Sequence, residues 1–185
     1  HIAEAEQQKF LRLIDFIKAL PKLNSVTKEH EKLNAYNKFR VIVTMLTLVK
    51  KLHMRVGKEQ YAKENKSYGV SSLEKRHMVV DGSKIKFRFR GKSRQILTYT
   101  LEDQVVKNHL NLLLKLEGDK LFQYIDEQDT IKRVTDSDLN QYIQEYMGSD
   151  FTVKDFRTYA ANIAFVTVLL TETKNETLFY IRVSN

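Results

Sequence analysis

Residues 77–101 read HMVVDGSKIKFRFRGKSRQILTYTL. Apolar residues recur here at every second position, the period of a strand. Asp81-Gly82 and Gly91-Lys92 divide the stretch into three runs, which predicts a three-stranded antiparallel meander. Within Lys84–Arg90 the alternation is strict. Ile85, Phe87 and Phe89 fall on one face; Lys84, Lys86, Arg88 and Arg90 fall on the other. The apolar face is expected to lie on a core. The basic face is expected to present cations about 7 Å apart, two residues of strand rise.

On both sides of the meander the period is 3.6. Phe10, Leu13, Ile14, Ile17 and Leu20 predict a helix over 3–20, stopped by Pro21, the only proline. Residues 22–34 are polar and read as a loop. A second helix is predicted over 35–53, with Phe39, Ile42, Val43, Leu46 and Val49 on one stripe, and a short charged helix over 57–66. Beyond the meander, helices are expected near 102–116, 136–147 and 153–172, with a loop carrying FQYID. The fold class is therefore α+β, a mainly helical domain with one small antiparallel sheet.

The 185 residues suit a single domain, and 42% hydrophobic residues exclude a disordered tail. Cysteine is absent, which excludes a disulfide framework, a thiolate zinc site and a cysteine nucleophile, and fits an intracellular protein. The apolar stretches 41–49 and 160–170 are about half the length of a membrane span. The formal charge is +8. Residues 74–94 hold eight basic residues against Glu74 and Asp81, a net +6, so most of the excess sits in the meander. That placement points to a polyanion, with nucleic acid the first expectation. The alternative is a strand face kept soluble and unpaired by its charge.

No glycine-rich phosphate loop appears, and the five histidines have no metal-ligand spacing. The acidic pairs Glu117/Asp119 and Asp136/Asp138 read as a turn and a helix cap. Phosphoryl chemistry on this chain would therefore be expected to rely on cationic side chains for charge neutralisation. Three stand out by context. Arg55 follows the apolar stripe of a helix, Lys92 follows Gly91 at the hairpin tip, and Arg157 opens an apolar helix, where free N–H groups could share a phosphate. By spacing alone, a helix cap, a turn residue and an ion pair are the better explanations.

Four blocks carry a family resemblance. They are AEQQKFLRLIDFIKALPKL (5–23), RVGKEQYAKENKSYGVSSLEKRHM (55–78), IKFRFRGKSRQ (85–95) with LFQYIDEQDTIKRVTDSDLNQYI (121–143), and FTVKDFRTYAANIAF (151–165). In this order and with these gaps the chain resembles the type IB DNA topoisomerases of the small poxvirus and bacterial kind, over about residues 2–173. The resemblance implies a catalytic domain of the topoisomerase IB/tyrosine recombinase type. Its activity would be relaxation of supercoiled duplex DNA through a 3′-phosphotyrosyl intermediate, by a monomer, with no metal, ATP or other cofactor. It implies Arg55 and Arg157 as the arginines that hold the non-bridging oxygens, and Lys92 as the general acid for the leaving 5′-oxygen. Lys58, Tyr61, Lys154 and Asn162 match DNA-contacting positions, joined by Lys84, Lys86, Arg88, Arg90 and Arg94 of the basic hairpin.

The resemblance implies a nucleophilic Tyr and a His or Asn helper that are expected to lie downstream of residue 185. Tyr180 is not expected to replace the nucleophile, because Thr171 stands where the helper would be. The expectation is a single domain over 1–185, truncated at its C-terminus, with 174–185 outside the resemblance, the small N-terminal β domain missing, and no activity by itself. A cytoplasmic setting is expected, in a bacterial nucleoid or, for a virus, in the virion or host cell. Two other readings stand beside this one. A tyrosine recombinase shares the logic, but it usually carries His three residues before its second arginine, where Lys154 stands here. A DNA-binding module without catalysis would keep only the hairpin.

Overall fold

The predicted meander forms. The computed structural model describes residues 2–148 and 150–174. In it β1 (Met78–Asp81), β2 (Lys84–Arg90) and β3 (Ile96–Glu102) make an antiparallel sheet in the order β1-β2-β3. Ile85, Phe87 and Phe89 are buried, and the four cations between them are exposed. Each of those buried side chains contributes roughly 1.5–3 kcal/mol by leaving water. That is the physical reason the register is fixed: a slip by one residue would bury four charges.

The helix α2 (Lys38–Leu52) occupies the centre of the molecule. It contacts the first helix, three later helices, β3 and the strand that begins at Gln123. Its predicted stripe is buried except Phe39, and so are Val41, Met45 and Leu48 between the stripe positions. A helix apolar nearly all round belongs inside a core. Two polar residues are buried with it. Arg40 Nη1 donates to Thr44 Oγ1 (2.9 Å) and Thr44 lies 2.7 Å from Nδ1 of His109, whose Nε2 meets the Ala35 carbonyl at 2.6 Å. The Ala35 carbonyl needs a donor, so Nε2 carries the proton and Nδ1 accepts from Thr44. Burial, opposed by the Ala35 bond and assisted by the Arg40 charge, depresses the His109 pKa to about 4.

The first helix differs from its expected length. α1 runs from Ile2 to His30, straight through Pro21. Proline removes one helical bond, to the Ile17 carbonyl, and costs roughly 3 kcal/mol in a helix interior. The residues beyond it offset that cost. Leu23 is fully buried, Val26 packs against the core, and His30 stacks on Phe39 and lies 2.7 Å from the Tyr142 hydroxyl. The periodic stripe expected over 3–20 is also displaced: Phe10 and Ile17 are exposed, and Phe16 is the buried residue.

The FQYID segment forms a second, small hairpin. β4 (Gln123–Ile125) pairs with β5 (Ile131–Arg133), and the Ile125 N–H donates to the Tyr36 carbonyl ahead of α2. The short helix α3 (Glu59–Asn65) follows α2, and α4 (Gln104–Leu113) follows the sheet. α5 (Asp136–Met147) is capped by Thr135 with Asp138, as the Asp136/Asp138 spacing predicts. The final helix α6 (Val153–Ser184) starts against α1 and α2. Phe156 in its first turn meets the Phe16 ring edge-on at 5.0 Å. Beyond Ile163 its described apolar side chains are exposed, among them Phe165, Val166 and Leu170.

Candidate active site

Arg55 sits where α2 is forced to stop. His53 takes a left-handed conformation (φ 55°) while its N–H closes on the Val49 carbonyl. Met54 is fully buried, so its neighbour Arg55 turns out to solvent. The chain then runs alongside residues 69–71. The Val70 and Ser71 N–H groups donate to the Arg55 and Val56 carbonyls at 2.9 and 2.8 Å. The two backbones meet at Gly57 (φ +75°) and Gly69. A Cβ on Gly57 would lie 2.5 Å from the Gly69 nitrogen, and a Cβ on Gly69 2.4 Å from the Gly57 nitrogen. Only glycine fits at either place. Arg55 therefore stands on a rigid double backbone.

Lys58 and Tyr61 follow at the start of α3, whose position is set by Glu59. Its carboxylate accepts from Lys120 Nζ (2.9 Å) and lies 3.4 Å from Arg133 Nη1. Burial would raise this carboxyl, but the Lys120 bond and the charges of Lys120, Arg133 and Lys63 carry it below the ordinary value. Opposite α3 is the hairpin tip. The Gly91 N–H donates to the Gln95 carbonyl, closing a turn in which Ser93 and Arg94 both have φ near +60°. Left-handed conformations of non-glycine residues store roughly 1–3 kcal/mol each. Between tip and α3 lies a cleft of about 500 Å³. Arg55, Lys58, Tyr61, Lys92 and Arg94 line it, with Tyr68 at its base.

Arg157, in the second turn of α6, returns to the same neighbourhood. It is half-buried, and its Nε donates to the His53 carbonyl (3.2 Å), two residues before Arg55. Burial lowers its pKa, and the Arg55 charge lowers it further. Two guanidiniums separated by about a hundred residues of chain thus stand within each other's field. Such a pair is costly by itself and favourable around an anion. The free N–H groups expected beside Arg157 are partly taken: Asp155 accepts from Thr152 N, and Asn140 accepts from Val153 N.

Other expected positions lie elsewhere. Lys154 lines a second cleft, with Lys9 and Arg12, between α1 and α6. Asn162 Nδ2 donates back to the Thr158 carbonyl within its own helix. The basic stripe divides in two. Lys86 is paired with Asp81 (2.6 Å), and Lys84 stands between Asp81 on β1 and Glu102 on β3. Arg88 and Arg90 face Thr98 and Ile96, and no carboxylate pairs with them among the described residues. Tyr180 lies outside the described residues. Among those described, no group of three or more His, Asp or Glu is placed to hold a metal ion.

The sequence reading passed over Tyr99 and Tyr68. Tyr99 stacks on Phe89 (5.7 Å). Burial raises its pKa, while the charges of both Arg157 and Arg55 pull the other way. The inward alternation Leu97, Tyr99, Leu101 on β3 was the signal that could have found it. Tyr68 gave no such signal; its N–H donates to the Arg90 carbonyl and its hydroxyl accepts from Arg76.

Comparison with known proteins gives likenesses in structure and in sequence. In structure, the chain is similar to a XerH site-specific recombinase bound to its difH substrate, with a TM-score of 0.52 and 12% identity, covering 80% of this chain and 42% of that one. This likeness concerns the fold. In sequence, the chain is 51% identical over 181 residues to the DNA topoisomerase 1B of Acanthamoeba polyphaga mimivirus, covering 96% of this chain and 54% of the relative. It is 30% identical over 125 residues to the DNA topoisomerase 1 of Rabbit fibroma virus, covering 66% of this chain and 36% of the relative. The chain thus spans about half the length of the first relative and about a third of the second. No described helix is long and apolar enough to cross a membrane. The family model of the eukaryotic DNA topoisomerase I catalytic core matches residues 2–181, beyond Thr173 where the resemblance of the motifs fades, and the chain belongs to the type IB DNA topoisomerase family.

Proposed function

We propose that this chain is the strand-breaking and rejoining core of an enzyme that relaxes supercoiled DNA as a monomer. A tyrosine oxygen gives up its proton to water and attacks the phosphorus; its bond to phosphorus forms and the bond to the 5′-oxygen breaks. Negative charge builds on the equatorial oxygens of the five-coordinate phosphorus. Arg55 and Arg157 neutralise it, and their mutual repulsion in the absence of DNA favours them closing on an anion. Lys92, at a tip of Gly and left-handed residues, gives its proton to the departing 5′-oxygen, which becomes a hydroxyl. Resealing runs the same steps backwards. Lys58, Tyr61 and Arg94 hold the DNA backbone beside the scissile phosphate.

The observation that supports this most is the bond from Arg157 to the His53 carbonyl, two residues before Arg55, which stands with Lys92 in the lining of the cleft. The test appends to this chain the part of the mimivirus relative that lies outside the matched region. The fusion is expected to relax a supercoiled plasmid without ATP, and Arg55→Ala or Arg157→Ala to cut the rate about 10²–10³-fold each. A fusion that binds duplex DNA and never nicks it would refute the reading and favour a non-catalytic module.

A further inference from the structure

Arg12 lies on α1, in the lining of the second cleft, and the proposed mechanism gives it no part. Its guanidinium makes a two-pronged bond to Asp155: Nε to Oδ1 at 2.8 Å and Nη2 to Oδ2 at 3.0 Å. Nη2 also donates to the Asp150 carbonyl at 2.6 Å, and the guanidinium lies 5.2 Å from the centre of the Phe151 ring. The Asp155 bond raises the pKa of Arg12.

Asp155 has a second task. Its Oδ2 accepts from the Thr152 N–H, which caps the start of α6, and its side chain is largely buried. One carboxylate thus joins the helix cap to a side chain 143 residues earlier. Such a fork fixes direction as well as distance, which a single point charge cannot do. The apolar side of the same turn is fixed as well: Phe16 of α1 meets Phe151, Phe156 and Tyr159 at 5.6, 5.0 and 5.3 Å. Two residues after Asp155 comes Arg157, pointing across to the His53 carbonyl. The start of α6 is held at Asp155 while Arg157 reaches toward Arg55.

We propose that Arg12, through Asp155, is a positioning residue that sets the rotation of the first turns of α6 and so the place of Arg157 beside Arg55. The consequence for strand cleavage rests on the topoisomerase reading; the placement of Arg157 does not.

The experiment needs no DNA. The Arg157 side-chain Nε–H is followed by NMR on the chain as it stands, assigned by its loss in Arg157→Lys. Its bond to His53 slows solvent exchange. In Arg12→Ala and in Asp155→Asn that exchange is expected to quicken by about fivefold, the loss of one ordinary hydrogen bond. Arg12→Lys, which keeps the charge and loses the fork, is expected to fall between. Lys32→Ala, at an exposed pair with Glu29, leaves it unchanged. Melting temperature is recorded beside each. If Arg12→Ala and Asp155→Asn lower the melting temperature while the Arg157 signal stays as in the parent, Arg12 is a stabilising residue only and the proposal is overturned. If Arg12→Ala does not fold, Asp155→Asn decides by the same criterion. Failure of the chain to bind duplex DNA would count against the topoisomerase reading and leave this result standing.

Discussion

The two ends of β2 carry the same kind of residue in the same alternation, yet they stand in different electrostatic surroundings. At the base, Lys84 and Lys86 meet Asp81 across one strand neighbour and Glu102 across the other. At the tip, Arg88 and Arg90 face Thr98 and Ile96, and the chain runs on into Lys92 and Arg94 at the cleft. Read along one strand, the stripe is uniform; read across the sheet, it is neutralised at one end and open at the other. Charge on a strand acquires meaning from the residues opposite, and those are set by register.

The sharpest test of that contrast is at the tip. In a completed enzyme, Lys92→Ala is expected to slow cleavage by about 10²–10⁴-fold while leaving duplex affinity nearly intact. A DNA with sulfur at the 5′-bridging position, whose thiolate needs no proton, should restore the rate. Normal cleavage of oxygen-bridged DNA by the variant would remove the acid from the account.

The comparison holds only where the fold is intact, and the buried His109 contributes to that range. Its folded pKa of about 4 lies below the ordinary 6.5, so the unfolded chain takes up the proton first. Stability is therefore full above pH 6.5 and falls between 6.5 and 4, by up to about 3 kcal/mol. Denaturant melts across that window check this. In His109→Gln the window should flatten, and an equal slope in both proteins would mean that another group is responsible.

Next is binding. Arg88→Ala with Arg90→Ala should reduce the slope of log affinity against log salt by about two, the loss of two phosphate contacts. Lys84→Ala with Lys86→Ala should change it by much less, since these ammonium groups already have carboxylate neighbours. Equal slopes for the two double variants would erase the distinction between tip and base. The smallest effect is expected from Asp81→Asn, which frees Lys86 and should steepen the slope slightly, by less than one.

The sheet was legible because two constraints agreed on it. Strict alternation fixed the faces, and Asp81-Gly82 with Gly91-Lys92 fixed the turns. Helix α1 was legible only to Pro21, because a proline is local information while the burial of Leu23 and the ring stack of His30 on Phe39 are long-range. The hairpin at 123–133 is not legible as strands, since they are three residues long and are held partly by Tyr36 and by Phe122 pairing with Val134. Arg55, Lys92 and Arg157 were singled out through motifs. Their grouping could not be read, because it depends on the left-handed stop at His53, the contact of Gly57 with Gly69, and the bond from Arg157 to His53. Lys154 and Asn162 show the reverse: close in sequence to Arg157, the first lines the second cleft and the second bonds back to its own helix.

The account turns on the meeting of Arg55, Arg157 and Lys92 at one phosphate, and a crystal structure of the chain with a short DNA duplex measures this directly. It should show both guanidiniums within about 2.7–3.2 Å of oxygens on a single phosphorus, with the Lys92 ammonium at the 5′-bridging oxygen of that group. Arg157 still bonded to His53 with DNA in place, or the two arginines on different phosphates, would contradict it.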